Sequence, residues 1–291
     1  MGAHSRPRRS CLAVPGSSRK MLDNARILPV DQVFLDLEDA VAPLAKADAR
    51  ASVVAALREG GWGERIRAVR VNDATTPWAY RDVIEVAWLD LTLTQLERAL
   101  GLAVGAIGIE AQIENAQGVV AVDAIAASSP RLETIIFGPA DFMASIGVPS
   151  LQVGALRPDY PGDPFHHVLM RLLLAARAHD RQVIDGPYLQ VQDVDGFRAA
   201  ARRSAALGYD GKWVLHPVQI DAANEVYAPS QADYDRAEQI LAAYEHATSD
   251  AGGRIGAVML GDDMIDEASR TMALGIAAKG RAAGLHRSAP P

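Results

Sequence analysis

Short apolar runs of strand type alternate with longer stretches of helical period from Ser10 to beyond Pro217. The runs are Ser10–Pro15, Gln32–Glu38, Arg65–Asn72, Ile107–Glu114, Leu132–Gly138, Val183–Leu189 and Gly211–Pro217. Between them lie helical stretches such as Pro43–Arg58, Gly118–Ala127, Phe165–His179 and Asp195–Leu207. This alternation implies parallel strands covered by helices, in either a doubly wound sheet or a (β/α)8 TIM-type barrel. Hydrophobic residues make up 49% of the 291, yet only 5% are aromatic, so the core must rest on Ala, Val, Leu and Ile. That aliphatic content, with 22% charged residues, excludes a disordered chain.

Polar residues at the C-terminal ends of the runs favour the barrel, whose active sites are built on that rim. They are Asp36, Glu38 and Asp39, then Arg70 and Asn72, Glu114 and Asn115, Asp141, Asp185 and His216. The alternative for each is an ordinary loop polar or helix N-cap. A closed barrel needs eight strands and only seven are legible. Trp78–Leu102 reads as helix almost throughout, so one βα unit is missing near residues 84–91. The barrel is expected over residues 10–250. A Gly-rich joint then leads to a helical lid over 251–284, with its helix in Met264–Gly280.

The 36 acids outnumber the 29 bases, for a formal charge of −7, which argues against nucleic acid as a partner. No apolar run reaches the length of a bilayer span, and the N-terminus lacks the apolar core of a secretion signal, so a cytoplasmic protein is expected. The one cysteine, Cys11, excludes an internal disulfide and a cysteine-rich zinc site. Phosphate-loop, dinucleotide, nucleophile-elbow and zinc-protease motifs are all absent.

What remains is carboxylate chemistry around an arginine. Glu114 and Asp141 end consecutive strand segments, and neighbouring strands lie about 4.8 Å apart, so the two could share one hard cation such as Mg²⁺. Arg70 could bind a carboxylate or stabilise an enolate, or form a salt bridge to Glu38 or Asp39. Residues 1–26 carry six bases and one acid. Arg6, Arg8 and Arg9 read as a solvated tail; Arg19 and Lys20, after the Gly16–Ser17 turn, are candidates for a phosphate-bearing ligand. Asp262, Asp263, Asp266 and Glu267 precede the last helical stretch and suit an N-terminal cap.

The segments AVPGSSRKML, FLDLEDAVAP, VRVN, IEAQIENAQGV, FGPADF, IDGPYL, GKWVLHPVQI and GDDMIDEASRTMA resemble the HpcH/HpaI aldolase and citrate lyase β-subunit family. The MIDEASR segment most resembles its malyl-CoA and β-methylmalyl-CoA lyase branch. The resemblance implies a (β/α)8 barrel that cleaves 3-hydroxyacyl-CoA thioesters, with Mg²⁺ (Mn²⁺ can substitute) held by Glu114 and Asp141. It implies that Arg70 contacts substrate, and that Ser17, Arg19 and Lys20 lie by the nucleotide end of CoA. Glu38, Asp39, Leu215 and His216 complete the candidate substrate-binding set. It further implies a homotrimer or hexamer in which Asp266 enters an adjacent subunit's site as acid/base. The expected reaction releases glyoxylate from malyl-CoA or β-methylmalyl-CoA. Alternatives are a citramalyl-CoA or citryl-CoA lyase (releasing pyruvate or oxaloacetate), a malyl-CoA thioesterase, or an inactive CoA-ester-binding homologue. The family's strand ending in Pro-Lys has no counterpart here, in the region of the missing βα unit.

Overall fold

The computed structural model describes residues 6–72, 93–95, 97–156 and 160–288. Each expected run supplies a strand: β1 (Ser10–Pro15), β2 (Gln32–Asp36), β3 (Ile66–Arg70), β4 (Ile109–Ile113), β5 (Leu132–Phe137), β6 (Gln182–Asp185) and β7 (Gly211–Val214). They form one parallel sheet in the order β3-β2-β1-β7-β6-β5-β4. The first strand therefore pairs with the last, with Cys11 opposite Trp213, which is the seam a barrel closes on. The sheet ends at β3 and β4, consecutive in the chain. The expected missing unit at residues 84–91, and most of Trp78–Leu102, lie outside the described residues; of that stretch, residues 93–95 and 97–99 are helical.

Strand alternation separates two apolar clusters. Leu12, Val14, Val33, Leu35, Ile135, Val183 and Val214 point outward into a large core shared with the helices. Cys11, Phe34, Ile136, Ile184 and Trp213 point inward, with Ala13 and Ala68 packed against them. Residues of β2 and β5, four positions apart in the sheet order, share that inner cluster, so the sheet curls around it. Helix boundaries follow local signals. The helix Val194–Leu207 starts on Asp193, whose side chain accepts from Gly196 N at 2.9 Å, and stops at Gly208 in the left-handed region.

Arg8 and Arg9 are not a solvated tail. Arg8 is 2% exposed, and its guanidinium donates to Gln32 (2.9 Å), Glu110 (3.2 Å), Glu133 (2.5 Å) and Gln182, all on β2, β4, β5 and β6. Arg9 is held by Asp31 through two guanidinium bonds at 2.8 and 2.7 Å. A buried cation needs such partners, and here the sheet supplies them. Arg6 is exposed.

The chain divides into two compact units, Arg8–Tyr227 and a second built from Ala228 onward together with Met1–Pro7. This boundary differs from the expected division at 250, because the helix Gln231–Thr248 packs on Glu267–Ala282 through Tyr234, Ala237, Ala273 and Ala277. The helix expected over Met264–Gly280 starts three residues later. Before it comes an antiparallel hairpin, β8 (Val258–Leu260) and β9 (Asp263–Ile265). Gly261, at φ +67°, opens its two-residue turn, a conformation that β-carbons disfavour. Among the described residues no helix is long and apolar enough to cross a membrane.

Candidate active site

Asp36 and Arg70 stand opposite each other where β2 and β3 end. Asp36 is fully buried and takes a bidentate grip on Arg70, Nε to Oδ1 at 2.8 Å and NH2 to Oδ2 at 2.5 Å. The same carboxylate accepts from the backbone N–H of Glu38 (2.8 Å) and Ala40 (3.1 Å), which fixes the turn leaving β2. Arg70 NH1 also reaches Glu38 (3.1 Å) and Asp39 (3.3 Å). The salt bridges expected from the sequence are therefore present, but Asp36 is the main partner. Beneath the guanidinium, Phe34 and Trp213 pack with ring centroids 4.4 Å apart; its carbon lies 6.0 and 5.4 Å from them. Glu38 is pushed up to about 7, by burial first and then by its hydrogen bond with Asp39, with Arg70 opposing. Near neutral pH it can both give and take a proton.

Glu114 directly follows β4, and Asp141 lies in the first turn of the helix Pro139–Ser145. Gly138 joins the two: its N–H donates to Ile113 O at 2.9 Å, and a β-carbon there would sit 2.5 Å from Glu114 Cβ. Only glycine lets β5 leave so close to Glu114. The half-buried Glu114 carboxyl is raised, by burial first and then by the charge of Asp141; Gln112 and Arg70 oppose the rise, and Asp39 adds to it. Glu114, Asp141, Arg70 and Asp39 thus share one electrostatic field.

This donor set fits a hard divalent cation. Two like-charged carboxylates, one of them partly desolvated, leave an excess of negative charge that a dication relieves. Among the described residues no cluster of three His, Cys, Asp or Glu forms a closed metal cage. Two protein ligands with water and substrate oxygens suit Mg²⁺. Mg²⁺ should stabilise the protein by about 2.7 kcal/mol at about a hundred times its Kd. Without metal, a raised carboxyl makes the fold lose stability as pH rises from the ordinary value of 4.5 through its folded pKa. The Mg²⁺-induced rise in melting temperature should therefore grow over that same window, and Glu114→Gln should remove it while flattening the metal-free loss of stability with pH. Thermal melts at several pH values with and without Mg²⁺ check this; an undiminished metal shift in Glu114→Gln would remove Glu114 from the site.

The other candidates separate. Ser17 is exposed just before the helix Arg19–Ala25, which Ser18 caps, and Lys20 is exposed in its first turn. Arg19 is exposed but held by Asp23 (2.9 Å) and Glu59 (2.8 and 2.5 Å), so an incoming phosphate must compete with them. Leu215 donates its N–H to Gln219 at 2.9 Å, and exposed His216 accepts from Val218 N at 3.2 Å. Asn115 caps the helix Ala116–Val120. Asn72 bridges Lys46 (2.5 Å) and Leu37 O (3.0 Å). Asp185 points away from the inner cluster, holding Lys212 (2.6 Å) and Ser204 (2.8 Å), so not every strand-end polar converges on one rim. In the second unit, Asp266 is the N-cap of Glu267–Ala282, accepting from Ser269 N (3.0 Å) and Oγ (3.1 Å). Those bonds, the backbone one foremost, hold its carboxyl below the usual range.

A curled parallel α/β sheet with an acidic, divalent-cation-type site beside a pinned arginine defines the class of this protein. The signature of the HpcH/HpaI aldolase/citrate lyase family matches residues 9–96 and 85–217, and the chain belongs to that family. It is 37% identical over 280 residues to the L-malyl-CoA/beta-methylmalyl-CoA lyase of Cereibacter sphaeroides (strain ATCC 17029 / ATH 2.4.9), covering 86% of this chain and 88% of the relative. A (3S)-malyl-CoA thioesterase of Cereibacter sphaeroides (strain KD131) is 36% identical over 255 residues, covering 85% and 86%. Among solved structures, protein CitE of Mycobacterium tuberculosis, in complex with magnesium, acetoacetate and coenzyme A, superposes with a TM-score of 0.70 at 28% identity. That match covers 96% of this chain and 98% of the other.

Proposed function

We propose that this chain is a Mg²⁺-dependent carbon–carbon lyase of 3-hydroxyacyl-CoA thioesters, reversibly cleaving malyl-CoA or β-methylmalyl-CoA to glyoxylate and acetyl-CoA or propionyl-CoA. The observation that carries this reading is the Glu114–Asp141 carboxylate pair in one field with Arg70. Glu114 and Asp141 would hold Mg²⁺ (or Mn²⁺), which when bound supplies Lewis-acid polarisation of the oxo-acid oxygens. In cleavage an ionised carboxylate of the site would take the 3-hydroxyl proton, the C2–C3 bond breaks to release glyoxylate, and a thioester enolate remains. Arg70, pinned by Asp36 and stacked on Trp213, faces developing oxyanion charge with little reorganisation. Glu38 and Asp39 set the charge around it, while Ser17, Arg19 and Lys20 flank the CoA nucleotide, with Leu215 and His216 beside the ester.

The subunits assemble as a trimer or hexamer, and Asp266 acts on a neighbour's substrate. As an ionised N-cap it starts the condensation direction as the base that takes the proton from the acyl carbon; in cleavage it returns that proton. Incubation with malyl-CoA and Mg²⁺ should release glyoxylate and acetyl-CoA, and loss of release on chelation should be reversed by added Mg²⁺. No glyoxylate from malyl-CoA or β-methylmalyl-CoA would overturn the reading. The thioesterase relative at 36% identity supports a second outcome, hydrolysis of the same ester, which free CoA appearing with malate would reveal.

A further inference from the structure

Trp213 is the third residue of β7 and belongs to the inner cluster with Cys11, Phe34, Ile136 and Ile184. It is 6% exposed, and its ring lies 5.4 Å from the guanidinium carbon of Arg70. Its indole Nε1–H is buried and has no hydrogen-bond partner among the described residues. The neighbouring polar side chains of the inward face are matched: Asp36 with Arg70, Gln32 with Glu110, Gln112 with Glu114, and Thr134 with Glu110. A buried donor left unmade is costly, and such a group beside a reactive centre calls for a partner from outside the chain.

An indole N–H donates and never accepts, and it carries no charge that pH can remove. The cation stacked on the same ring already has Asp36, Glu38 and Asp39 around it, so a bound anion meets an arginine whose charge is largely matched. A neutral donor in an apolar wall adds a hydrogen bond to an ionised acceptor, the stronger kind, without adding to that charge balance. We infer that Trp213 is a substrate-binding residue whose Nε1–H donates to a carboxylate oxygen of the 2-oxo acid. This rests on the lyase reading. The residue lies two positions before Leu215 and His216, yet sequence reasoning missed it, because an aromatic in a strand reads as core.

The test uses the full-length chain with Mg²⁺ and ¹⁵N-labelled tryptophan, titrated with glyoxylate and with pyruvate. Of the four tryptophans, Trp213 is assigned by the signal that Trp213→Phe lacks, or by elimination with Trp62→Phe, Trp78→Phe and Trp88→Phe if that variant does not fold. Its indole proton should move downfield at saturation. Trp213→Phe should raise the KM for glyoxylate in the condensation direction about tenfold, with kcat and the KM for acetyl-CoA held within about twofold. An indole signal that stays in place at saturation, or an unchanged glyoxylate KM in an active Trp213→Phe enzyme, overturns the inference while leaving the lyase reading intact. A wild-type protein that neither binds nor converts any 2-oxo acid overturns both.

Discussion

Arg70→Ala is expected to lower the free energy of unfolding by about 3–5 kcal/mol and to reduce kcat/KM by about a thousandfold. The stability loss comes from Asp36, which is fully buried and keeps two backbone donors but loses its bidentate counter-ion. The loss of rate comes from the missing cation at the developing oxyanion. Arg70 also restrains the rise of Glu38, so its removal should move the protonation of Glu38 to still higher pH. The two effects can be separated. Adding Asp36→Asn to Arg70→Gln removes the orphaned charge and should recover much of the stability in urea unfolding while recovering none of the rate. Arg70→Lys keeps the charge but loses the planar fork, so it should fall between them. A fully active Arg70→Ala enzyme would take Arg70 out of the chemistry altogether.

Asp266→Asn is expected to reduce lyase turnover by about a thousandfold or more while CoA-ester binding survives. Asparagine caps a helix about as well as aspartate, so Glu267–Ala282 should stay folded and the loss should be chemical. Asp266→Ala is the control: it should cost about 1 kcal/mol of stability in addition. If Asp266 serves a neighbouring subunit, mixed oligomers of Asp266→Asn and Glu114→Gln contain some sites with both groups intact. Activity should therefore partly return on mixing two inactive preparations. No recovery in oligomers verified as mixed would place Asp266 in its own subunit's site, and an undiminished Asp266→Asn enzyme would end its catalytic role.

The strands were legible because period-two alternation survives in short parallel strands, and because polar residues cluster where each one ends. The same signal carried Glu114, Asp141, Arg70, Glu38 and Asp39 to a common region. It overreached at Asp185, since a strand's last residue faces inward or outward by parity alone, and Asp185 is out of phase with Ile184. Arg8 was illegible for a different reason. Three bases near a chain end look solvated, and what buries Arg8 is a set of polar groups 24 to 174 residues away. The β8–β9 hairpin did have a local signal, Gly261-Asp262 between two short apolar runs, masked by the acids that follow and favour a helix start. Trp213 shows the deeper limit. Its placement in the core was readable; its unmatched donor is a property of the assembled inner face.

The Arg8 network has a consequence for how the chain reaches its native state. β1 leaves synthesis first, yet one flank is bounded by β7, and the guanidinium just before it has partners 102, 125 and 174 residues downstream. A nascent chain that stops short of Gln182 must leave the NH1 group of that cation to water, which holds the start of β1 out of any dry core. Commitment to the native sheet is thus deferred until its final strands arrive, and the slow step is the closure of very long loops. The species at risk of aggregation during folding is one with β1, β2 and β3 paired and the other flank of β1 still open, and it should accumulate whenever elongation stalls before β6.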